Sequence, residues 1–181
     1  MEVDKDTELI KEFLAGNESA FNKIAIIYQQ KIYWHARRML GNHIDADEVT
    51  QEVLIVVYKK LKDFKFNSTL FTWIYRITTT RSLNFIKKRK AKKFLFWGDD
   101  DYKNIELKDD IIKNIEDKEK IEKIQNVLNQ LPVKQREVFL LRNFDELSYE
   151  EISKITGKSI GGLKANYFHA LIKVKDLLNE K

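Results

Sequence analysis

Residues 147–174, LSYEEISKITGKSIGGLKANYFHALIKV, contain two consecutive helix signals that are separated by one glycine turn. Ser148 is followed three residues later by Glu151, a capping box that predicts the start of the first helix. Gly157 can adopt the left-handed conformation that ends a helix, and Ser159 is placed to cap a second helix. The stretch therefore predicts a helix-turn-helix, an arrangement whose second helix often enters the major groove of DNA.

The second helix separates into two sides when it is projected at 100° per residue. Its apolar side comprises Leu163, Tyr167, Ala170 and Val174, and its other side comprises Gly161, Ala165, Phe168 and His169, with Lys164 at the border. Small residues let a helix enter the groove, Lys164 can meet a phosphate or a guanine, and Phe168 can contact thymine methyl groups. A two-helix hairpin that only packs on a third helix is the alternative for this stretch taken alone.

The composition favours an all-α protein, because glycine is scarce, Pro132 is the single proline and strand-like alternation is hard to find. The chain has no cysteine, which excludes disulfides and thiolate metal sites. The N-terminus is acidic and amphipathic, unlike a signal peptide, and no apolar run approaches membrane-spanning length. We therefore expect no membrane insertion and a cytoplasmic location.

The net charge of +5 is unevenly distributed along the chain. Residues 1–90 hold 16 Lys and Arg against 11 Asp and Glu, residues 91–118 hold 6 against 8, and residues 119–181 hold 11 against 9. Two basic blocks thus flank an acidic segment. This pattern is compatible with a polyanionic partner but does not by itself identify one.

The first basic block is predicted to contain a short helix from Thr7 to Ala15 and a longer one that is capped by Asn17 and ended by Gly41. His35 and His43 have no clustered companions, so a structural or surface role is favoured over metal binding. Asp45 is predicted to cap the next helix. One face of that helix is acidic yet includes Ile55 and Tyr58, and apolar residues among charges are typical of a protein interface.

A polar loop at residues 65–69 precedes a helix that is predicted from Leu70 to about Lys90. Its expected core side is Phe71, Ile74, Ile77, Thr78, Arg81 and Phe85, and its other side is Trp73, Arg76, Thr80, Leu83, Asn84 and Lys87. A basic face with an aromatic residue beside a polar loop suits single-stranded nucleic acid, because bases stack on rings while cations follow the backbone. A core role for Trp73 is equally open.

Residues 91–118 interrupt the helical pattern and are predicted to form an acidic linker, although Phe94, Leu95, Phe96 and Trp97 are apolar enough to dock on another surface. Helices return from about Lys118, with Pro132 in the first turn of the following helix. A nucleic-acid enzyme that holds a metal at Asp99, Asp100 and Asp101 is disfavoured, because three consecutive carboxylates make a poor octahedral site.

Three motifs in this order resemble the extracytoplasmic-function, or group IV, sigma factors of bacterial RNA polymerase, in the sigma-70 superfamily. DADEVTQEV resembles the family's region 2.2, FTWIYRITTTRSLNFIKKRK resembles regions 2.3 and 2.4, and the stretch from Leu131 to Val174 resembles region 4. The resemblance covers nearly the whole chain. It implies two small helical domains, a sigma-2 bundle at 1–92 and a sigma-4 helix-turn-helix at 119–181, joined by a linker at 93–118 that threads towards the RNA exit channel.

The resemblance also implies three binding surfaces and no bond chemistry, so we expect neither an enzyme nor a cofactor. Core polymerase would be bound through its β′ clamp helices and β flap, and an anti-sigma factor or another regulatory partner is expected. The residues implied at the polymerase are Asp45, Asp47, Glu48, Gln51, Glu52, Ile55 and Tyr58. Those implied at the melted minus-10 strand are Lys65, Phe66, Asn67, Ser68, Thr69, Trp73, Arg76, Thr80, Asn84, Lys87 and Lys88. Those implied at the minus-35 duplex are Ser159, Gly161, Lys164, Ala165, Asn166, Phe168 and His169.

Two positions depart from the family pattern. Thr80 stands where many members have asparagine, which leaves the captured minus-10 base undetermined, and Asn166 stands where arginine is frequent. Asparagine pairs with adenine whereas arginine favours guanine, so the minus-35 preference is expected to be richer in A·T. The alternative function is a helix-turn-helix repressor or activator that does not bind core polymerase, but it leaves the acidic face with Ile55 and Tyr58 unexplained.

Overall fold

The computed structural model describes residues 2–95 and 115–179, and the regular structure in these two ranges is helical. The helices are α1 (Glu2–Leu14), α2 (Glu18–Leu40), α3 (His43–Lys60), α4 (Leu70–Leu95), α5 (Ile115–Gln130), α6 (Val133–Asn143), α7 (Tyr149–Thr156) and α8 (Ile160–Asn179), with a 3₁₀ turn at Leu61–Asp63. The predicted all-α fold class is confirmed. The part of the predicted linker that holds Phe96, Trp97 and Asp99 to Asp101 lies outside the described residues.

The two ends of α2 follow the sequence prediction. Asn17 Oδ1 accepts a hydrogen bond from Ser19 N at 3.2 Å, and Gly41 is left-handed with φ 91° and donates its amide to Arg37 O. A Cβ atom at Gly41 would lie 2.7 Å from Asn129 Oδ1 of α5. Glycine at this position therefore ends α2, and a larger residue would also displace the side-chain amide of Asn129.

The predicted start of α3 at Asp45 is wrong. The helix begins at His43, because Asn42 takes the capping role and its Oδ1 accepts a hydrogen bond from Asp45 N at 2.8 Å. Asp45 instead lies in the first turn, where a carboxylate favours the helix dipole. Three other helix ends differ from the prediction. Helix α1 begins at Glu2 rather than Thr7, and α4 continues to Leu95 rather than to about Lys90. Pro132 is the residue before α6 rather than part of its first turn.

The predicted helix-turn-helix is confirmed in α7 and α8. Ser148 Oγ accepts the Glu151 amide at 3.2 Å while Glu151 Oε2 accepts the Ser148 amide at 2.8 Å, so both halves of the capping box are present. Gly157 is left-handed with φ 70°. Ser159 Oγ accepts a hydrogen bond from Gly162 N, which caps α8 as predicted.

The two predicted domains share one packed interior. Leu128, Leu131 and Leu140 of the second half belong to the same buried cluster as the core residues of α1 to α4. In the other direction, Tyr75 of α4 packs into the cluster that the helix-turn-helix forms with α6. The described halves therefore do not form two isolated bodies, because each contributes side chains to the core of the other.

This packing corrects the predicted core side of α4. Arg81 was placed in the core, but its side chain is 40% exposed and its Nη1 lies 3.7 Å from Glu52 Oε2. Five residues outside the predicted core side of α4 are buried: Thr72, Tyr75, Thr79, Ser82 and Ile86. The reason is that α4 contacts α2 and α3 on one side and α7 on the other, so its buried face is wider than one apolar stripe.

Arg136 of α6 anchors the second half on the end of α2. Its Nη1 donates to Met39 O at 2.8 Å, and its Nη2 donates to Asn129 O at 2.8 Å. Burial, with a smaller contribution from the neighbouring Arg89, lowers the pKa of Arg136 to about 10. Gln125 Nε2 adds a hydrogen bond to Arg38 O at 3.3 Å. Carbonyls at a helix C-terminus have no partner within the helix, so side chains of the second half satisfy them.

Replacement of Arg136 by methionine is expected to lower the free energy of unfolding by roughly 3 kcal/mol, because buried carbonyls of α2 and α5 lose their donor. The matched control is Lys134→Met, which changes the same charge on an exposed residue of the same helix and is expected to cost less than about 0.5 kcal/mol. Urea denaturation followed by circular dichroism measures both. Equal stability of the two variants would contradict this role of Arg136.

The capping box predicts a pH-dependent contribution from Glu151. Hydrogen bonds from the Ser148 hydroxyl and amide lower the pKa of Glu151, so its contribution is present above the unfolded-state pKa of about 4.3 and is lost as the pH falls through the lower folded value. At pH 7, Glu151→Ala is expected to cost about 1 kcal/mol. Glu150→Ala, which removes a neighbouring carboxylate outside the box, is the control. A cost for Glu151→Ala that persists unchanged at pH 2 would argue against a contribution from the ionised carboxylate.

Candidate nucleic-acid and partner interfaces

The outward side of α8 is solvent-accessible, as predicted. Leu163 and Ala170 are buried, and Tyr167 and Val174 are half-buried on the inward side. The exposed outward residues are Gly161, Lys164, Ala165, Phe168 and His169. Phe168 is 59% exposed, an unusual degree for a phenylalanine, so the helix presents a ring beside small and basic residues.

Three polar residues of the predicted duplex surface, two in α8 and one at its cap, already contact other groups of the chain. Lys164 Nζ lies 5.7 Å from the centre of the Tyr149 ring, which holds the cation near the turn between the helices without burying it. Asn166 Nδ2 donates to Gly162 O at 2.7 Å, so its amide lies along its own helix. The hydroxyl of Ser159 serves as the helix cap. The ammonium group of Lys164, the one lysine among the predicted duplex contacts, is therefore accessible to a phosphate.

The loop at residues 65–69 projects an aromatic side chain. Phe66 has φ 56°, which is strained for a residue with a Cβ atom, and its side chain is 47% exposed. Its ring centre lies 5.0 Å from that of Phe64, and the Phe64 ring lies 5.3 Å from Trp73. Trp73 is half-buried and packs against the core cluster, and its contact with the melted strand stays a prediction. The ring of Phe66 is the exposed end of this aromatic row.

The remaining residues of this predicted site lie around the start of α4 and along it. Thr69 Oγ1 accepts the Thr72 amide at 3.1 Å, so this loop residue caps the helix. Arg76 donates through Nη2 to Lys154 O in α7, which engages one end of its guanidinium. Ser68 is half-buried, and the exposed members of the set are Lys65, Asn67, Thr69, Arg76, Thr80, Asn84, Lys87 and Lys88.

Three carboxylates of the acidic face of α3 are in contact with arginine or histidine side chains. Asp45 Oδ2 lies 2.8 Å from Arg89 Nη1, Asp47 Oδ2 lies 3.3 Å from His43 Nε2, and Glu52 is paired with Arg81 as described above. Glu48, Gln51, Ile55 and Tyr58 are exposed, and Ile55 reaches 53%. Tyr58 also donates to Glu18 Oε1 at 3.2 Å and packs its ring edge-on to Phe21. The accessible part of this face is thus smaller and more apolar than the sequence suggests.

One buried polar cluster lies between the two halves and was missed from sequence. His35 Nδ1 of α2 lies 2.8 Å from Asp145 Oδ2, and Tyr75 OH of α4 donates to Asp145 Oδ1 at 3.1 Å. The prediction that His35 is structural is confirmed, since it is 1% exposed. Burial, with help from Asp145, raises the pKa of Tyr75 above its ordinary value. No local pattern marks Asp145 or Tyr75, because their partners lie 70 or more residues away in the chain.

Within residues 2–95 and 115–179, no group of three or more histidine, aspartate and glutamate side chains is arranged to hold a metal ion. In the same part of the chain, no helix is long and apolar enough to cross a membrane. The acidic run from Asp99 to Asp101 lies outside these ranges.

Comparison with known families matches both halves of the chain. Residues 27–92 match the family model described as sigma-70 region 2, and residues 121–174 match the model described as sigma-70, region 4. The chain is 32% identical to the ECF RNA polymerase sigma factor SigW of Bacillus subtilis over 162 residues, which cover 86% of this chain and 87% of the relative. It is 28% identical to the RNA polymerase sigma-H factor of Pseudomonas aeruginosa, with 92% of this chain and 90% of the relative covered.

Two solved structures share the fold. CnrH, solved in complex with the cytosolic domain of CnrY, matches with a TM-score of 0.72 and 19% identity over 97% of each chain. The sigma factor RpoE of Bartonella quintana, solved in complex with the anti-sigma factor NepR, matches with a TM-score of 0.70 and 20% identity over 89% of this chain and 98% of that one. The similarity extends across both described halves rather than one motif.

Proposed function

Because this chain belongs to the extracytoplasmic-function sigma factors, which direct RNA polymerase to promoters, we propose that its two exposed basic surfaces divide promoter recognition between them. The loop at residues 65–69 and the outer side of α4 capture the melted minus-10 strand. The outward side of α8 reads the minus-35 duplex. The observation that carries this division is the exposed side of α8, which a confirmed capping box and glycine turn present to solvent.

The size and chemistry of the α8 surface support its assignment to duplex DNA. Gly161 and Ala165 leave room for close approach to the groove, Lys164 supplies a cation, and Phe168 offers a ring to thymine methyl groups. The hydroxyl of Ser159 caps α8, and it thereby orders the N-terminus of the helix, which we expect to meet a DNA phosphate. Asn166 and His169 complete the proposed contacts, with Asn166 accounting for the expected preference for adenine.

The loop and α4 combine an exposed ring with cations, and this combination supports their assignment to single-stranded DNA. Phe66 in the loop provides a stacking surface, and Lys87 and Lys88 lie on α4, where they can follow the backbone. Extruding a base from the duplex costs a few kcal/mol, and stacking on an aromatic ring contributes about 1–3 kcal/mol per base. The binding energy of this surface is therefore of the right size to assist promoter opening without any bond chemistry.

The exposed part of the α3 face is proposed to bind the β′ clamp helices of core polymerase. Ile55 and Tyr58 supply its apolar centre, and Glu48, Gln51 and Glu52 supply a polar rim. Asp45 and Asp47 contribute through their pairs with Arg89 and His43, which hold the start of α3 in place. The second half is proposed to contact the β flap.

A regulatory partner is also proposed. Both structural neighbours with the same fold were solved with a protein partner, and for RpoE that partner is named an anti-sigma factor. A protein of this kind would act on the present chain by competing for its polymerase-binding and DNA-binding surfaces. The proposed site of action is the cytoplasm, where bacterial RNA polymerase and promoter DNA are found. The domain limits of 1–92 and 119–181 with a linker between them are retained as part of this proposal.

Replacement of Lys164 by alanine is expected to weaken binding of the holoenzyme to all promoters that it recognises, because a phosphate contact carries little sequence information. The slope of log affinity against log salt should become shallower by about 1. Lys173→Ala is the control, since it removes the same charge from the opposite side of α8. Fluorescence anisotropy with minus-35 duplexes at several salt concentrations measures both. Equal salt slopes for the two variants would exclude Lys164 from phosphate binding.

Replacement of Phe66 by alanine is expected to impair promoter opening by about tenfold or more while duplex binding at minus-35 stays unchanged, because a stacking surface is lost. Permanganate footprinting of the minus-10 region reports opening, and anisotropy reports duplex binding. Ile26→Ala, which truncates another exposed apolar side chain at a distant position on α2, is the control. Normal permanganate reactivity with Phe66→Ala would contradict a role of the ring in strand capture.

A further inference from the structure

A cavity of about 330 Å³ opens between α2, α4 and the loop that follows α6. Cavities that bind small molecules have volumes from about 300 Å³ upwards and combine apolar walls with a few polar groups. This cavity has such a volume, and its walls are mainly aromatic and basic. Its lining includes Lys31, Trp34 and Arg38 of α2, Phe71 of α4, and Phe144 and Asp145 of the loop.

Three aromatic rings from three different elements line the cavity. Trp34, Phe71 and Phe144 are each half-buried, so part of every ring is accessible to a ligand. Tyr75 fixes the ring of Phe71 by stacking on it, with the ring centres 4.1 Å apart and the planes 27° apart. A planar apolar group can therefore contact rings of the cavity wall without a rearrangement of the chain.

The two cations of the cavity rest on aromatic rings. Lys31 Nζ lies 5.8 Å from the centre of the Phe71 ring, and the guanidinium carbon of Arg38 lies 4.4 Å from the centre of the Phe144 ring. In the part of the chain that the structure describes, neither cation forms a direct ion pair with a carboxylate. Burial lowers the pKa of Arg38, and the nearby Asp145 offsets this effect only in part. An anion in the cavity would complete the compensation.

Asp145 leaves the cavity with an excess of positive charge. Its oxygens are already engaged, since Oδ2 lies 2.8 Å from His35 Nδ1 and Oδ1 accepts a hydrogen bond from Tyr75 OH at 3.1 Å. Its charge still balances one of the two cations, so the lining has one positive charge in excess. This excess matches a carboxylate, because a phosphate monoester carries roughly 1.5 to 2 negative charges at pH 7.

The volume of the cavity limits the size of the ligand. One water molecule occupies about 30 Å³ in the liquid, so the cavity has room for roughly ten to fifteen non-hydrogen atoms. One aromatic ring, or two fused rings, with a short carboxylate side chain has this size. The amide of Gln30, which also lines the cavity and is exposed, can bind a polar substituent of the ring.

We propose that this cavity binds a small aromatic carboxylate. The ring contacts Trp34 and Phe71, and the carboxylate lies between Lys31 and Arg38. The site is separate from the proposed promoter surfaces, because none of its lining residues belongs to them. A failure of this proposal would therefore leave the proposed function intact, and the reverse also holds.

Isothermal titration calorimetry of the full chain tests the chemistry of the ligand with three probes. Indole-3-acetate has both the ring and the charge, indole-3-acetamide has the ring without the charge, and acetate has the charge without the ring. Indole-3-acetate is expected to bind about tenfold more tightly than the amide, because it alone accepts charge-assisted hydrogen bonds from both cations. Acetate is expected to bind more weakly than either. Absence of binding of indole-3-acetate, or equal affinity for the acid and the amide, would overturn the proposal.

Substitutions in α2 test the position of the two groups of the ligand. Lys31→Gln should lower the affinity for indole-3-acetate by about tenfold and leave the affinity for indole-3-acetamide unchanged, since one charged donor is lost. Trp34→Leu should weaken both probes to a similar extent. Lys23→Gln is the matched control, because it removes the same charge from an exposed lysine of α2 outside the cavity. Wild-type affinity of Lys31→Gln for indole-3-acetate would contradict the site.

Nuclear magnetic resonance locates the bound probe independently of the affinities. The Nε1–H resonance of Trp34, assigned with Trp34→Leu, should shift during titration with indole-3-acetate. The corresponding resonance of Trp73 should stay in place, because that residue packs against Phe64 and does not line the cavity. A shift of Trp73 without a shift of Trp34 would place the ligand elsewhere and refute the proposal.

Discussion

The contact between the Arg136 guanidinium and the end of α2 is the interaction on which the observed arrangement of the two halves depends. It satisfies carbonyls at the end of α2 and at the end of α5 at the same time. Hydrogen bonds from a charged donor are stronger than neutral ones, and here the alternative is a set of buried carbonyls without donors. Gly41 lies next to this contact in a left-handed conformation, and a Cβ atom there would displace the side-chain amide of Asn129.

The same arrangement places the two proposed DNA-binding surfaces on one compact body. The helix-turn-helix contributes α7 to the cover of α4 and leaves the outer side of α8 exposed. On the acidic face of α3, which is proposed for the polymerase, Ile55 and Tyr58 are exposed, whereas Arg76 of the surface proposed for the melted strand donates to Lys154 O of α7.

The features that could be predicted from sequence are those set by neighbours in the chain. The capping box of Ser148 and Glu151, the left-handed Gly157 and the two sides of α8 all depend on residues within a few positions of one another. Even within a short stretch, two residues can both be suitable for the same helix cap. Asn42 and Asp45 are both suitable caps, and the chain uses Asn42, which moves the start of α3 by one turn towards the N-terminus from the predicted position.

The features that could not be predicted depend on contacts between the halves. The widened burial of α4 reflects the approach of α7, and the pairing of Asp145 with His35 spans 110 positions. Periodicity reports that a residue faces inward but not which distant element covers it. For this reason the surfaces for polymerase and DNA stay predictions, whereas the hydrogen bond from Arg76 to Lys154 O and the pairing of Asp45 with Arg89 became visible only in the structure.

The boundary between the halves is the part of the molecule that must change if the chain is closed when free and extended on a promoter. The distance between α2 and α8, measured by energy transfer between dyes on Ile26→Cys and Lys173→Cys in the free chain and in the holoenzyme, reports this change directly, because both positions are exposed. We expect higher energy transfer in the free chain than in the holoenzyme. Equal energy transfer in both states would show that the halves stay together on the polymerase, which would contradict the central claim.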